Sequence, residues 1–273
     1  TASNTLADAD GLGAITYTWK ADGPTVGSGA TYVVTEAEVS KLITVVASYT
    51  DGHGTAEAVS SAATVAVANV NDAPTGSVTI DDTTPAQGDT LTASNTLADA
   101  DGLGAITYTW KADGATIGTG ATYVVTEAEV GKVITVVASY TDGHGTADSV
   151  SSAATAAVVN VNDAPTGSVT IDDSTPTQGD TLTASNTLAD ADGVGVITYT
   201  WKADGATVGT GATYVVTQAE VGKVITVVAS YTDGHGSAEA GGRAELPAFP
   251  TRHAAPPGSV TIDDNTPAQG DTL

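Results

Sequence analysis

The chain has 273 residues, of which 41% are hydrophobic, and it contains no cysteine, which excludes disulfides and thiolate metal sites. Its 32 Asp and Glu residues outnumber 8 Lys and Arg residues, giving a formal net charge of −24 at pH 7. This acidity argues against nucleic-acid and membrane-surface partners and favours divalent cations, and no apolar run is long enough for membrane insertion.

An internal repeat organises the whole chain. The string TASNTLADADG starts at Thr1, Thr92 and Thr183, so the period is 91 residues, which fits a small domain rather than one turn of a solenoid. The string VNDAPTG, at Val70–Gly76 and Val161–Gly167, predicts extended linkers between domains. The predicted domains are residues 1–74, which lack a first strand, 75–165, 166–257, and 258–273, which repeat only the first-strand segment.

Alternating apolar and polar residues predict short strands in each repeat. In ITYTWK, for example, Ile106, Tyr108 and Trp110 share one face of a strand. The predicted strands of the second repeat are, in chain order, GSVTI, LTASNTL, ITYTWK, ATYVV, KVITVVASYT and the stretch around Ser149–Asn160. About seven short strands separated by Gly-rich turns predict an all-β fold of antiparallel β-sandwiches. TEAEVG (Thr126–Gly131) is predicted to form a short turn between two of them.

The repeat resembles known families. YTWKADG resembles the third strand of immunoglobulin-like domains, with Trp110 as the core tryptophan, and ADADGLGAITY, ASYTDGHGTA and NVNDAP resemble cadherin motifs. As a whole, the repeat is similar to the tandem immunoglobulin-like or cadherin-like modules of large bacterial surface and secreted proteins, of which repeats-in-toxin adhesins are the nearest group. The cadherin Leu-Asp-Arg-Glu motif and the glycine-rich nonapeptide of repeats-in-toxin β-rolls are absent.

Acidic loops in this pattern predict calcium at the joints between repeats. In such a sandwich, the DADG loop and the TDGHG loop lie at the pole where the preceding linker arrives, and Ca²⁺ binds about six to eight oxygen ligands. The predicted ligands of the first joint are Asn69, Asn71, Asp72, Asp99, Asp101 and Asp142, with Glu36 and Glu38 of the preceding repeat. Those of the second joint are Asn160, Asn162, Asp163, Asp190, Asp192 and Asp233, with Glu127 and Glu129.

A simpler interpretation of the same residues stays open. Asp, Asn and Gly are ordinary turn formers, and acidic loops are commonly just solvated. His53, His144 and His235 lie in GlyHisGly turns, where we expect exposed hairpin residues. Asp8 and Asp10 have no preceding linker in this chain, so we expect them to be the weakest ligands of the three copies.

The stretch Gly241–Pro257 departs from the repeat. It holds both arginines of the chain and its only phenylalanine. Compensating frameshifts or genuine divergence would explain a foreign composition at unchanged length. Because Pro247 and Pro250 lack the N–H that strand pairing needs, we expect a damaged last strand in the third repeat and no calcium at its C-terminal linker.

The sequence predicts a structural rather than an enzymatic role. No nucleophile elbow, phosphate-binding loop or HExxH motif is present. The leading hypothesis is a spacer or stalk in an exported, cell-surface or extracellular bacterial adhesin, with neighbouring repeats as partners. The alternative is a module that binds a glycan or protein ligand. Donation of the Gly258–Leu273 strand to the first repeat of another copy is a further expectation.

Overall fold

The computed structural model describes residues 1–248 and Gln269. The chain divides into two compact units, Thr1–Asn160 and Val161–Leu273, which are described separately below. The described residues are all-β apart from three single-turn 3₁₀ helices, at Glu36–Glu38, Glu127–Glu129 and Gln218–Glu220. These helices lie in the predicted TEAEVG turns. None of the described helices has the length and apolarity needed to cross a membrane.

The first repeat contributes one four-stranded sheet, with the strand order β2-β1-β3-β4. Its strands are β1 (Thr16–Ala21), β2 (Thr25–Ser28), β3 (Ile43–Thr50) and β4 (Ala56–Ser60). No second sheet is assigned to this repeat within the described residues, and every residue of β4 is exposed. Its tryptophan, Trp19, is therefore only half-buried.

The second repeat is a seven-stranded antiparallel sandwich, as predicted. One sheet has the order β5-β6-β9 and the other β11-β10-β7-β8. The strands are β5 (Val78–Ile80), β6 (Thr90–Asn95), β7 (Thr107–Ala112), β8 (Ala115–Thr119), β9 (Thr122–Val124), β10 (Ile134–Thr141) and β11 (Ala147–Ser151). The core between the sheets includes Leu91, Val125, Ile134 and Val136.

Trp110 occupies the centre of this core, as its place in the β7 pattern predicts. Its side chain is 0% exposed, and it lies opposite Val136 in the β7–β10 register. The indole Nε1–H donates to the Gly120 carbonyl at 2.9 Å, and the ring stacks on Tyr123 at a centroid distance of 6.0 Å. The polar edge of the tryptophan is thus satisfied while its ring contributes apolar packing.

The third repeat has the same architecture in the second unit. Its sheets have the orders β12-β13-β16 and β15-β14-β17-β18. The strands are β12 (Val169–Ile171), β13 (Thr181–Asn186), β14 (Thr198–Ala203), β15 (Ala206–Thr210), β16 (Thr213–Val215), β17 (Ile225–Thr232) and β18 (Ala238–Leu246). Trp201 is 0% exposed and takes the place of Trp110.

The expectation that the last strand of the third repeat is damaged is wrong. Strand β18 pairs with β17 from Ile225 to Thr232, with one irregularity between Ala229 and Ser230. Gly242, at φ +123°, lies opposite this irregularity, and Leu246 is buried in the core. The pairing survives because Pro247 follows the last paired residue instead of interrupting the strand. Pro250, the rest of the anomalous linker and, apart from Gln269, the 258–273 segment lie outside the described residues.

We predict that Leu246→Ala lowers the free energy of unfolding of the third repeat by about 2–5 kcal/mol, because it leaves a cavity in the core. Glu245→Ala is the matched control on the exposed face of β18, and its surface pair with Arg243 contributes at most about 1 kcal/mol. Urea unfolding of the full chain measures both. Equal effects of the two variants would contradict the observed burial of Leu246.

Candidate metal centre

Two loops of the second repeat meet at one pole through their backbones. The Gly143 N–H, in the β10–β11 hairpin, donates to the Asp101 carbonyl in the DADG loop at 3.0 Å. A Cβ on Gly143 would lie 2.6 Å from that oxygen, so only glycine permits the contact. The two acidic loops are therefore held next to each other.

The preceding linker also reaches this pole, as the topology predicts. The Asp72 N–H donates to Asp101 Oδ2 at 2.6 Å. Three residues later in the chain, Thr75 exchanges backbone hydrogen bonds of 2.8 and 3.0 Å with Ala98. The linker is thus fixed to the DADG loop by hydrogen bonds, one of which uses a carboxylate.

Two of the aspartates shape their own loops. Asp99 Oδ1 accepts from the Asp101 N–H at 2.9 Å, and Asp99 Oδ2 accepts a short hydrogen bond from the Tyr140 hydroxyl. Asp142 Oδ1 accepts from the N–H groups of His144 and Thr146 at 2.9 and 2.7 Å. Burial alone would raise the pKa of Asp142, but these donated hydrogen bonds hold it below its usual value. Asp142 therefore stays ionised at neutral pH.

Four oxygens of the second repeat and of the linker before it are buried and lack a hydrogen-bond partner among the described residues. They are Asn69 Oδ1, Asp101 Oδ1, Asp142 Oδ2 and Asp148 Oδ2. Asp101 and Asp142 are only 4% and 6% exposed. A buried carboxylate oxygen that lacks a partner is unfavourable, even where the other oxygen of the group is hydrogen-bonded. The arrangement fits a cation that accepts oxygen ligands.

Asp148 is a further acidic residue near this pole, and the sequence pattern does not single it out. It lies in β11 opposite Tyr140, and burial, followed by the charges of Asp99 and Asp142, raises the pKa of its carboxyl group. In sequence it reads as a polar residue of an alternating strand. The available signal was an acidic residue in the same place of each repeat, since Glu57 and Glu239 occupy the corresponding positions.

The structure separates the two glutamates predicted for the first joint. Glu36 lies at the pole, with Oε1 3.3 Å from His144 Nε2. Glu38 is buried within the first repeat, where its Oε2 accepts from the Thr35 N–H and the Thr35 hydroxyl, each at 2.9 Å. The backbone hydrogen bond from Thr35, above all, holds the pKa of Glu38 below its usual value. Glu129 forms the same cap with Thr126.

The second unit repeats the linker-and-loop network. The Asp163 N–H donates to Asp192 Oδ2 at 2.6 Å, and the Tyr231 hydroxyl donates to Asp190 Oδ2 at 2.5 Å. Asp233 Oδ1 accepts from the N–H groups of His235 and Ser237. Asp192 Oδ1 and Asp233 Oδ2 are again buried without a hydrogen-bond donor in the described chain.

Four predicted ligands remain, and each has its own surroundings. Asn71 is exposed, and its amide N–H donates to the Asp72 carbonyl at 3.3 Å. Asn162 donates in the second unit to Glu239 Oε1 at 2.8 Å. Glu127 and Asn160 belong to the first unit, where Glu127 begins a 3₁₀ helix and Asn160 ends the unit. A role for these residues in a second metal joint stays a prediction.

The first repeat shows the pole without a covering linker. Asp8 Oδ2 accepts from the Tyr49 hydroxyl at 2.8 Å, as in the other repeats. The Asp10 side chain, however, is 62% exposed, and its described ion pair is with His53 at 3.7 Å. The contrast with Asp101 indicates that the linker is what buries this carboxylate.

Comparisons with known proteins give only distant structural similarities. No family model matches the chain, and no curated protein matches it. A structure from a 1.5-MDa bacterial ice-binding adhesin has a TM-score of 0.28 at 16% identity, covering 90% of this chain and 88% of that chain. A structure of a Ca²⁺-stabilized adhesin from an Antarctic bacterium has a TM-score of 0.31 at 17% identity, covering 89% of this chain and 67% of that chain.

The D1–D4 ectodomain fragment of ICAM-5 has a TM-score of 0.37 at 14% identity, covering 86% of this chain and 68% of that chain. All of these scores and identities are low. The assignment of tandem immunoglobulin-like sandwiches therefore rests on the strand order, register and core of this chain itself.

We predict that Asp148→Asn stabilises the second repeat at pH 7 when a chelator removes divalent cations. A raised pKa means that the folded state favours the neutral carboxyl group, so Asp148 increasingly opposes folding as the pH rises from its unfolded pKa to its folded pKa, and fully above the latter. Urea unfolding measures the change, and wild-type stability should approach that of the variant as the pH falls. Glu57→Gln, at the exposed equivalent position, should have little effect. If Asp148→Asn destabilises the repeat in chelator, the inference that ionised Asp148 opposes folding is wrong.

Proposed function

We propose that this chain is a structural spacer of an exported, adhesin-like surface protein, in which calcium fixes the linker between successive sandwiches. The role is non-enzymatic. It is supported by repetition of one sandwich with the same acidic pole, since a spacer needs many equal joints whereas a catalytic site is rarely needed in triplicate.

The observation that carries the proposal is the set of buried, unpartnered oxygens of Asp101, Asp142 and Asp148. Carboxylates this close repel one another unless a positive charge lies between them. None of the ion pairs found in the described part of the chain joins a lysine or arginine to these three groups. A divalent cation would supply the missing charge and the missing partners together.

The donor set favours calcium. Asn69 Oδ1, Asp101 Oδ1, Asp142 Oδ2 and Asp148 Oδ2 are all oxygens, and they come from the linker, two loops and a strand. Ca²⁺ accepts six to eight such ligands in a flexible shell, whereas Mg²⁺ requires a small octahedral one and retains its waters. Water and further oxygens at the pole, such as those of Asp72, would complete the shell.

Binding at this place would act on the linker. The linker carries Asn69, and its Asp72 N–H is held by Asp101, so an ion on Asp101 would couple the linker to both acidic loops. A net charge of −24 also opposes collapse of like-charged repeats onto one another. Together these effects would keep an array extended from the cell.

Calorimetric titration of Ca²⁺ into the chelator-treated full chain tests the proposal. We expect saturable heat, and we expect Asp101→Asn combined with Asp142→Asn to remove at least one binding site. The matched control is Asp10→Asn combined with Asp51→Asn at the uncovered pole of the first repeat, which should leave that site intact. If the wild-type chain gives no calcium-dependent heat, the proposal that calcium binds at this joint is wrong.

Small-angle X-ray scattering tests the mechanical role separately. Calcium should narrow the distribution of interatomic distances at large separation, because a fixed linker samples fewer orientations. The Asp101→Asn and Asp142→Asn double variant should show a smaller calcium-dependent change in scattering than the wild-type chain, because only the second linker could still be fixed. If calcium binds but leaves the scattering of the wild-type chain unchanged, the ion has no stiffening role.

A further inference from the structure

The hairpin between β10 and β11 presents a nitrogen ligand at the same pole. His144 is the central residue of a GlyHisGly turn, and its backbone N–H is held by Asp142 Oδ1 at 2.9 Å. The turn is fixed from its other side by the bond from Gly143 to the Asp101 carbonyl. The position of the imidazole is thus set by an ordered backbone, although the residue as a whole is exposed.

The first repeat supplies a carboxylate opposite this imidazole. Glu36 Oε1 lies 3.3 Å from His144 Nε2, and the two side chains are 33% and 32% exposed. Glu36 begins the 3₁₀ helix whose end is anchored by the Val39 N–H to the Glu36 carbonyl at 3.1 Å. Residues of two successive repeats therefore approach each other within ligand distance.

Asp101 provides a third ligand, and its buried, unpartnered oxygen indicates that something binds at this pole. One carboxylate oxygen of Asp101, one of Glu36 and one ring nitrogen of His144 all lie within 4.8 Å of one another. Asp101 is 4% exposed, and its Oδ1 has no hydrogen-bond donor among the described residues. A simple His–Glu ion pair would leave that buried oxygen unsatisfied.

The chemistry of this donor set differs from that of an all-oxygen calcium shell. One imidazole nitrogen with two carboxylates suits a zinc-class transition ion. Ligands about 2.0–2.1 Å from a tetrahedral ion lie roughly 3.3 Å apart, which matches the observed His144–Glu36 separation. The Asp101 oxygen lies within 4.8 Å of both of these ligand atoms.

We propose that Glu36, Asp101 and His144 form a transition-metal site of the zinc class that ties the first repeat to the second. The site lies at the joint of the proposed function and shares Asp101 with it, but it depends on His144, which the calcium shell does not use. Water would occupy the remaining coordination position. The ion would connect two folded repeats directly, whereas calcium would act on the linker.

The first repeat offers an internal contrast. His53 has the same place in its hairpin and lies 3.7 Å from Asp10, but both side chains are largely exposed, at 75% and 62%. Within the described residues, this pair belongs to no group of three metal-ligating side chains. The histidine alone is therefore insufficient, and the carboxylate of a preceding repeat is what would complete a site.

Cobalt absorption tests this proposal. The full chain has four histidines, so the background variant carries His53→Asn, His235→Asn and His253→Asn and retains only His144. After chelator treatment, Co²⁺ should produce visible d–d absorption in this background, and Zn²⁺ should abolish it by competition. Adding His144→Asn, or Glu36→Gln, should weaken Co²⁺ binding at least about tenfold. Glu57→Gln, an exposed glutamate of the first repeat, is the control and should change nothing.

The outcomes separate this site from the calcium joint. Calcium calorimetry of the His144→Asn variant should match that of the wild-type chain. Cobalt absorption that persists without His144, or that is absent when His144 is the only histidine, would overturn the transition-metal site and leave the calcium proposal standing. If cobalt binding needs Glu36 and His144 but the chain gives no heat with calcium, the calcium proposal is overturned and the transition-metal site stands.

Discussion

The arrangement at the joint depends on a close backbone contact between two loops. Gly143 approaches the Asp101 carbonyl at a distance that excludes any side chain, and the Asp72 N–H binds the Asp101 carboxylate from the linker side. These contacts bring Asp101, Asp142 and Asp148 together regardless of their mutual repulsion. The electrostatic strain is therefore imposed by the fold, and a cation is the simplest agent that relieves it.

Comparison of the repeats shows which part of this arrangement is intrinsic to one sandwich. The tyrosine–aspartate bond at the start of the DADG loop occurs in all three repeats, at Asp8, Asp99 and Asp190. The second aspartate of the loop is buried only where a linker donates to it, as at Asp101 and Asp192. Each sandwich thus builds half of a site, and the incoming linker completes its burial.

Sequence patterns predicted the sandwich and the meeting of two acidic loops with a linker, because alternation, tryptophan position and turn residues each specify local structure. Sequence patterns did not separate a side chain that binds the backbone from a side chain that is free to bind a metal. Glu38 belongs to a Thr-x-x-Glu capping box, and in the sequence the same residue also reads as a ligand pair with Glu36. Asp148 reads in the sequence as an ordinary polar residue of an alternating strand. The last strand of the third repeat was misjudged because its proline comes just after the pairing ends.

The core and the pole are held by different forces, and this bears on how such a joint would work. Trp110 lies in a core of apolar side chains, and the two loops are connected by backbone hydrogen bonds that need no ion. Neither the core nor the contact between the loops therefore needs a cation to form, although a cation would relieve the repulsion among the carboxylates at the pole. Its effect would fall on the linker and on the Glu36–His144 approach between repeats, so ion concentration would tune the stiffness of an array whose domains remain folded.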